Sequence, residues 1–384
     1  DLCVDALLGI GLSAQARAHA PDARLLQWLA QMQAGAAPTL CVDLPSGLIA
    51  DSGQYAPGFE ALTGPARSAR HTLSLLTLKP GLFTAHGRDA TGQVWLDDLD
   101  VDAHASPASA RLAGPPTAAA RPHASHKGSH GDVAVIGGEG LGARGLGMTG
   151  AALLAASAAL HAGAGRVLLA LLDDGASSAL PELPELMLRR VEALRLEQGA
   201  VVCGCGGGAA VAARLPAVLQ QAQRLVLDAD ALNAIAADAE LQRLLSERGR
   251  HADCATVLTP HPLEAARLLA TSAAAVQADR LAAAQALADR YQCTVLLKGS
   301  GSIIAAPGQL PHINPTGNAL LATGGTGDVL AGLVGARLAA GPAASAAAAF
   351  DAATQACWQH GAVADDWRAP QALTASRLAQ SLHP

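Results

Sequence analysis

The sequence is poor in aromatic residues, and this scarcity limits how its cores can be built. Phe, Trp and Tyr together make up 2% of the 384 residues, whereas hydrophobic residues of all kinds make up 51%. The buried cores must therefore consist mainly of Ala, Leu and Val. The length and the apolar content are sufficient for two domains.

Other features that are lacking argue against whole classes of protein. The formal net charge is −6 and no basic stripe or tail occurs, which argues against nucleic acid as a partner. No apolar run reaches the roughly 18 residues of a membrane span, and no signal peptide opens the chain, so we expect no membrane partner. The seven cysteines are scattered and odd in number, which favours a reducing cytoplasm. Because the sequence begins at Asp1 without Met, we expect it to be part of a longer chain.

Lysine is also scarce. Of 26 basic residues only Lys79, Lys127 and Lys298 are lysines, and each stands beside glycine or Pro–Gly. The chain uses Arg for ordinary solvated charge, so a retained lysine is a candidate for work that needs a compact ammonium group. The alternative is that the three lysines stand beside glycine by chance.

Short apolar strands alternate with helical segments, which predicts α/β domains with mostly parallel sheets. We expect a first domain over residues 1–102, an extended Ala/Pro-rich linker over 103–125 and a second domain over 126–384. Strands are predicted in the first domain at Asp1–Ile10, Thr39–Leu44 and His71–Leu78. In the second domain they are predicted at Asp132–Ile136, Arg166–Leu172, Ala200–Val202, Leu225–Leu227, Thr256–Leu258 and Val295–Leu297, with a helix at Thr149–His161.

The most informative stretch is Asn314–Gly332. Gly324, Gly325, Thr326 and Gly327 precede Asp328, and apolar residues then recur at helical spacing. A glycine turn that leads into a helix at about Asp328 predicts an anion site, because the first backbone N–H groups of a helix lack partners. A carboxylate beside a phosphate is unfavourable unless it takes part in the chemistry, so Asp328 is a candidate general base. The alternative is that Asp328 only caps the helix.

Other strands of the second domain also end in residues that carry chemistry. The ends of parallel strands are where open α/β sheets bind ligands. The residues concerned are the loop Cys203–Gly208, the pair Asp228 and Asp230, His261 between two prolines, and Lys298 before Gly-Ser-Gly-Ser. A competing interpretation is a dinucleotide fingerprint formed by Gly140, Gly142 and Gly145 after a strand.

The second domain resembles a known family. The segments that carry the resemblance are HKGSHGDVAVIGGEG, GMTGAALLAASAALHAGAGRV, VLDADALN, LTPHPLEAARLL, LLKGSGSIIAAP and NPTGNALLATGGTGDVLAG. They are similar to the ADP-dependent NAD(P)H-hydrate dehydratase domain of bifunctional NAD(P)H-hydrate repair enzymes, a ribokinase-like three-layer α/β domain with a mostly parallel sheet. The resemblance implies that Ala151, Gly208, His261 and Asp328 contact the hydrate. It also implies that Lys298, Gly299, Ser300, Gly301, Ser302 and Gly327 contact the adenine nucleotide. Cys205 and Gly207 differ from the Pro and Leu that are usual in the family.

The first domain resembles part of the Rossmann-like epimerase domain of the same enzymes. The matching segments are VDALLGIGL, DLPSGL and LTLKPGL. The resemblance implies that Asp5 and Ser46 help to hold a potassium ion, that Asp43 and the loop Gly9–Gln15 contact the hydrate, and that Lys79 lies near the nicotinamide. The family's upstream NNGGDG loop has no counterpart in the 384 residues, so we expect no epimerisation of the R hydrate.

The resemblance therefore implies ADP-dependent dehydration of the S form of NADHX or NADPHX, with AMP and phosphate released and with Mg²⁺ required. We also expect a cytoplasmic homo-oligomer. The alternatives are a ribokinase-like small-molecule kinase, a Rossmann dehydrogenase and a non-catalytic dinucleotide-binding protein.

Overall fold

The computed structural model describes residues 1–15, 20–102, 107–116, 121–173, 180, 182–341, 343–368 and 370–384. These residues form two compact units. The first is Asp1–Arg111 with Gln277–Arg280 and Gly299–Gly301; the second is Leu112–Val276, Leu281–Lys298 and Ser302–Pro384. Within the predicted linker, residues 103–106 and 117–120 lie outside the described part, and Arg111–Leu112 is a short strand.

The first unit contains a four-stranded parallel sheet. Its strands, in the order β1-β2-β3-β4, are β1 Cys3–Asp5, β2 Thr39–Val42, β3 Arg70–Leu75 and β4 Gln93–Asp97. Its helices are α1 Ala23–Ala34 and α2 Gly87–Thr91. Two small apolar clusters, around Phe59 and around Leu48, form its core.

The second unit is built on a large, mostly parallel sheet. The strands are β5 Arg111–Leu112, β6 Asp132–Gly137, β7 Arg166–Leu171, β8 Met187–Leu188, β9 Ala200–Cys203, β10 Arg224–Leu227, β11 Ala255–Leu258, β12 Thr294–Leu297, β13 Ile303–Ala305 and β14 His312–Ile313. Their order is β5-β14-β13-β12-β11-β10-β9-β6-β7-β8. The pairs β12–β13 and β13–β14 are antiparallel, whereas the run from β12 to β8 is parallel.

Helices cover this sheet. They are α3 Leu141–Arg144, α4 Thr149–His161, α5 Leu215–Gln221, α6 Ala229–Ala237, α7 Ala239–Arg248, α8 Pro262–Leu269, α9 Ala273–Ala278, α10 Arg280–Tyr291, α11 Thr326–Ala340, α12 Ala346–Asp365 and α13 Ala375–Gln380. The fold is the expected α/β architecture. Among the described helices, none is both long and apolar enough to cross a membrane.

Small residues hold α4 and α11 together. A Cβ on Gly332 would overlap the carbonyl oxygen of Ala155, so the two helix backbones approach more closely than larger side chains would permit. Ala, Val and Leu dominate the buried cluster around them. The prediction of a core with few aromatic residues is therefore confirmed.

Several predicted boundaries need correction. The first strand covers Cys3–Asp5 rather than Asp1–Ile10. Helix α11 begins at Thr326, two residues before Asp328, because Gly325 at φ 93° is the N-cap and the chain is already helical after it. Strands β4, β5, β8, β13 and β14 were not predicted. Helix α4 has the predicted bounds, and the remaining predicted strands lie within one to three residues of those observed.

Candidate active site

Four adjacent parallel strands, β9 to β12, end at the same edge of the sheet of the second unit. Their ends carry Cys205, Asp228, His261 and Lys298. Helix α11 contributes Asp328 in its first turn. The strand-end residues predicted from the sequence therefore share one edge.

Asp328 lies in an acidic, partly buried cluster. One donor atom each from Cys205, Asp228 and Asp328 can be chosen so that all lie within 4.8 Å of one another. Burial, helped by the negative charge of Asp228, raises the pKa of Asp328 to about 6. A carboxyl group with this pKa is largely ionised near neutral pH and can still accept a proton readily, as general-base catalysis requires.

Lys298 links this cluster to the first turn of α11. Its Nζ donates to Oδ1 of Asp228 at 2.7 Å and lies 4.0 Å from Oε2 of Glu264. Burial acts to lower the pKa of Lys298, but the two carboxylates outweigh it and raise the pKa above its usual value. A Cβ on Gly327 would lie 3.4 Å from Nζ, so the ammonium group adjoins the helix N-terminus. Two sources of positive potential therefore lie side by side.

His261 caps helix α8. Its Nδ1 accepts hydrogen bonds from the backbone N–H groups of Leu263 at 3.1 Å and Glu264 at 3.4 Å. The backbone N–H of His261 donates to Oε2 of Glu264 at 2.8 Å. Burial and the charge of Lys298 lower the pKa of His261, and burial raises the pKa of Glu264 to about 7. A role of His261 in binding the hydrate remains a prediction.

The other two residues predicted to bind the hydrate adjoin one glycine loop. A Cβ on Gly206 would lie 2.9 Å from the Cβ of Ala151. The N–H of Gly208 donates to Oδ2 of Asp230 at 2.8 Å, and a side chain at Gly208, where φ is +55°, would overlap the carboxylate of Glu139. Only glycine fits at position 208.

The rest of the predicted nucleotide loop is divided between the two units. Gly299, Ser300 and Gly301 group with the first unit, in which the carbonyl of Ser300 accepts from Oγ1 of Thr84 at 3.1 Å. Ser302 belongs to the second unit and accepts the N–H of Asn314 at 2.8 Å. Nucleotide binding by these four residues remains a prediction.

The first unit brings its predicted cation ligands together. Oδ1 of Asp5 accepts from Oγ of Ser46 at 2.6 Å, Oδ2 accepts from the N–H of Ser46 at 2.9 Å, and the carbonyl oxygen of Leu8 lies 3.4 Å from the same Oγ. Asp5 is 2% exposed. A buried carboxylate, a hydroxyl and a carbonyl are oxygen donors of the kind that suits potassium, so the residues fit the ion.

Asp43 and Lys79 form an ion pair in this unit. Asp43 has a positive φ of 71°, and Nζ of Lys79 also donates to the carbonyl of Leu75 at 2.7 Å. In the loop Gly9–Gln15, Leu12 is buried while Gly9 and Gly11 have open space around them. The contact of this loop with a hydrate remains a prediction.

Three polar residues of the main site were not assigned a role from the sequence. Asp228, which is 2% exposed, accepts from Lys298 and, at 2.8 Å, from Oγ1 of Thr259. Glu264 lies beside Lys298, and Glu139 lies beside Gly208. Asp228 was singled out from the sequence because it directly follows a strand, but its partners were not predicted.

The sequence profile described as NAD(P)H-hydrate dehydratase matches residues 132–383, which include every strand-end residue of the site. The chain belongs to the NAD(P)H-hydrate dehydratase family. A second profile, described as YjeF-related protein N-terminus, matches residues 1–81. The family resemblance seen in the sequence is confirmed.

Two relatives of the family match closely. A bifunctional NAD(P)H-hydrate repair enzyme of Escherichia coli is 36% identical over 385 residues, covering 95% of this chain and 67% of the relative. An ADP-dependent (S)-NAD(P)H-hydrate dehydratase of Neisseria meningitidis is 41% identical over 273 residues, covering 69% of this chain and 86% of the relative.

Solved structures show the same fold. The ADP/ATP-dependent NAD(P)H-hydrate dehydratase of Bacillus subtilis, co-crystallised with ATP and Mg²⁺, has a TM-score of 0.53 and 27% identity, covering 70% of this chain and 91% of that one. A ribokinase-like superfamily protein of Enterococcus faecalis has a TM-score of 0.55 and 25% identity, covering 68% and 89%. The ribokinase-like fold is confirmed.

Proposed function

We propose that this dehydratase-family chain catalyses the ADP-dependent dehydration of the S form of NADH or NADPH hydrate, restoring the reduced dinucleotide. The observation that carries the proposal is the position of Asp328, whose pKa is about 6, in the first turn of α11 beside Lys298. A general base next to a phosphate-binding helix terminus suits the activation of a hydroxyl group for attack on phosphorus.

The hydrate carries a hydroxyl on its reduced nicotinamide ring. Hydroxide leaves poorly near neutral pH, whereas a phosphate group leaves readily. Asp328 accepts the hydroxyl proton as the hydroxyl oxygen attacks the terminal phosphorus of ADP, which forms an O–P bond and releases AMP. The C–O bond then breaks, with the ring nitrogen lone pair supplying electrons, and the phosphate departs with the original hydroxyl oxygen. The iminium that results loses a proton from the adjacent ring carbon, which restores the ring double bond. The products are NAD(P)H, AMP and inorganic phosphate.

Positive potential near Asp328 stabilises the transferred group. The ammonium of Lys298 and the N–H groups of the first turn of α11, including that of Gly327, face the region where charge develops on the phosphate. Lys298 remains protonated because its pKa is raised. The pair of Lys298 with Asp228, at 2.7 Å, fixes the direction of the ammonium group.

Magnesium fits the same cluster through oxygen. Mg²⁺ favours carboxylate and phosphate oxygens. Burial and two nearby carboxylates raise the pKa of Cys205 well above its ordinary value, and a soft sulfur is a poor ligand for this hard ion. Asp228 would help to hold the ion, which supplies charge neutralisation on the phosphates.

The finer assignments are also proposals. Ala151, Gly208 and His261 are assigned to the hydrate, and Gly299–Ser302 to the nucleotide. ADP is preferred as phosphoryl donor because the relative from Neisseria is named ADP-dependent. In the first unit, Asp5 and Ser46 would hold potassium. We expect the protein to act in the cytoplasm as a homo-oligomer that binds no nucleic acid.

The test is to incubate the purified protein with the S hydrate of NADH, Mg²⁺ and ADP, and to follow the absorbance of reduced nicotinamide together with AMP and phosphate. We expect the three products in equal amounts and none without ADP. A kinase of the same superfamily would instead accumulate a stable phosphorylated product, and that result would contradict the proposal.

A further inference from the structure

Helix α12 carries the segment that leads to the glycine turn. The side-chain amide of Asn314 donates to the carbonyl of Cys357 at 3.2 Å, and Oγ1 of Thr316 donates to the carbonyl of Trp358 at 2.8 Å. A Cβ on Gly361 would lie 2.7 Å from the backbone nitrogen of Gly317 and would overlap Thr316. The segment therefore lies directly on the helix backbone.

Asp365, the last residue of α12, binds the start of the segment formed by residues 317–326. Its Oδ2 accepts from the N–H of Gly317 at 2.7 Å, and its Oδ1 accepts from the side-chain amide of Asn318 at 3.0 Å. A carboxylate at a helix C-terminus is unfavourable to the helix dipole. The hydrogen bonds from Gly317 and Asn318 offset this cost. They indicate that the carboxylate of Asp365 serves to hold these two residues against α12.

His360 binds the other end of the segment 317–326. Its ring is buried, and Nε2 lies 2.9 Å from the carbonyl oxygen of Thr326, the first residue of α11. Because a carbonyl can only accept, Nε2 carries the proton. Burial lowers the pKa of His360 to about 4, so the ring stays neutral and keeps this donor geometry across the physiological range.

We propose that Asp365 and His360 are positioning residues for phosphoryl transfer, a role that rests on the proposed function. Together they fix both ends of residues 317–326 on α12 and thereby place the glycine turn and Asp328 for reaction. Transfer needs reacting atoms held in a narrow range of geometry, and a displacement of about 1 Å can reduce the rate about a hundredfold.

Asp365 is tested with a neighbouring control. Asp365→Asn keeps one acceptor oxygen, so it can accept from Gly317 or from Asn318 but not from both, and its NH2 then faces the other donor. Asp366→Asn changes an exposed acid for which no side-chain bond is seen in the described structure. We expect kcat to fall by about tenfold or more in Asp365→Asn, with KM for the hydrate nearly unchanged. The control should keep wild-type values. Equal kcat in both variants, measured well below their unfolding temperatures, would overturn the role of Asp365.

His360 is tested by rescue. His360→Gln keeps a donor that can reach the Thr326 carbonyl, whereas His360→Leu removes it. We expect His360→Gln to retain kcat within about threefold of wild type and His360→Leu to lose about tenfold or more. Equal loss in both variants would indicate a packing role and contradict the proposal.

Amide hydrogen exchange provides a readout that does not depend on turnover. We expect faster exchange across residues 317–328 in Asp365→Asn and His360→Leu, but not in Asp366→Asn. Unchanged exchange would contradict the positioning role of Asp365 and His360 even if the wild type is an active dehydratase. Conversely, a wild type without ADP-dependent formation of NADH would refute the proposed function, while the exchange pattern would still show whether Asp365 and His360 hold residues 317–326 in place.

Discussion

Replacing Asp328 by Asn is expected nearly to abolish dehydration and, at neutral pH, to stabilise the fold. The side chain is partly buried, and both burial and the nearby charge of Asp228 disfavour its ionised form. Asn has nearly the same shape but no charge and no basic oxygen. The substitution therefore removes the catalytic base and, at the same time, a negative charge that destabilises the fold.

The size of the stability change follows from the pKa. In the fold the pKa of Asp328 is about 6, against an ordinary value of 3.8. Proton linkage converts this difference into about 3 kcal/mol of destabilisation at neutral pH, an upper value because the Asn amide must also find partners. The penalty is present above the folded pKa, diminishes as pH falls through about 6, and vanishes below about pH 4, where the carboxyl is protonated in both states.

Two assays test this prediction. The loss of a general base lowers kcat by about a hundred- to ten-thousand-fold, which is measured as ADP-dependent formation of NADH. Denaturant unfolding of both proteins at about pH 7.5 and about pH 5 should show the variant as the more stable, by a smaller margin at the lower pH. A variant that keeps more than about a tenth of wild-type turnover would show that Asp328 is not the base. A variant less stable than wild type at the higher pH would refute the electrostatic reasoning.

Two further predictions follow from the same contacts. Lys298→Ala should raise KM for ADP and lower the free energy of unfolding by about 3 kcal/mol, because Asp228 is left buried without its cation; an unchanged KM would contradict the assignment of Lys298 to the nucleotide. Gly332→Ala should destabilise the protein by about 1–3 kcal/mol through overlap with Ala155, whereas Gly150→Ala, with open space around it in α4, should be neutral or slightly stabilising. Thermal unfolding of the two glycine variants compares them directly, and equal stability would contradict the packing of α4 on α11.

The sequence was sufficient to predict the parts of the site that depend on local pattern. The glycine turn before a periodic apolar helix identified Asp328, and apolar runs that end in polar residues located the sheet edge. The pair of Lys298 with Asp228 could not be predicted, because it joins residues 70 positions apart through the order of the strands. His360 gave no signal, since it lies inside an Ala-rich helix without a motif.

Other expectations depend on information that local pattern does not contain. Strands β13 and β14 pair in the sheet but have only three and two residues, which is too few to show a periodic pattern. The domain limits, the contacts of Gly299–Ser302 with a nucleotide and the absence of epimerisation remain predictions. The last two depend on bound ligands or on measured activity.

The most direct test follows the hydroxyl oxygen of the hydrate. The S hydrate of NADH is prepared in water enriched in heavy oxygen (¹⁸O), so that its ring hydroxyl carries the label, and is then converted in ordinary water with ADP and Mg²⁺. If the hydroxyl attacks phosphorus and leaves as phosphate, each molecule of inorganic phosphate formed carries one labelled oxygen. Unlabelled phosphate, with the label released into water, would show that ADP cleavage and dehydration are separate events and would contradict the proposed function.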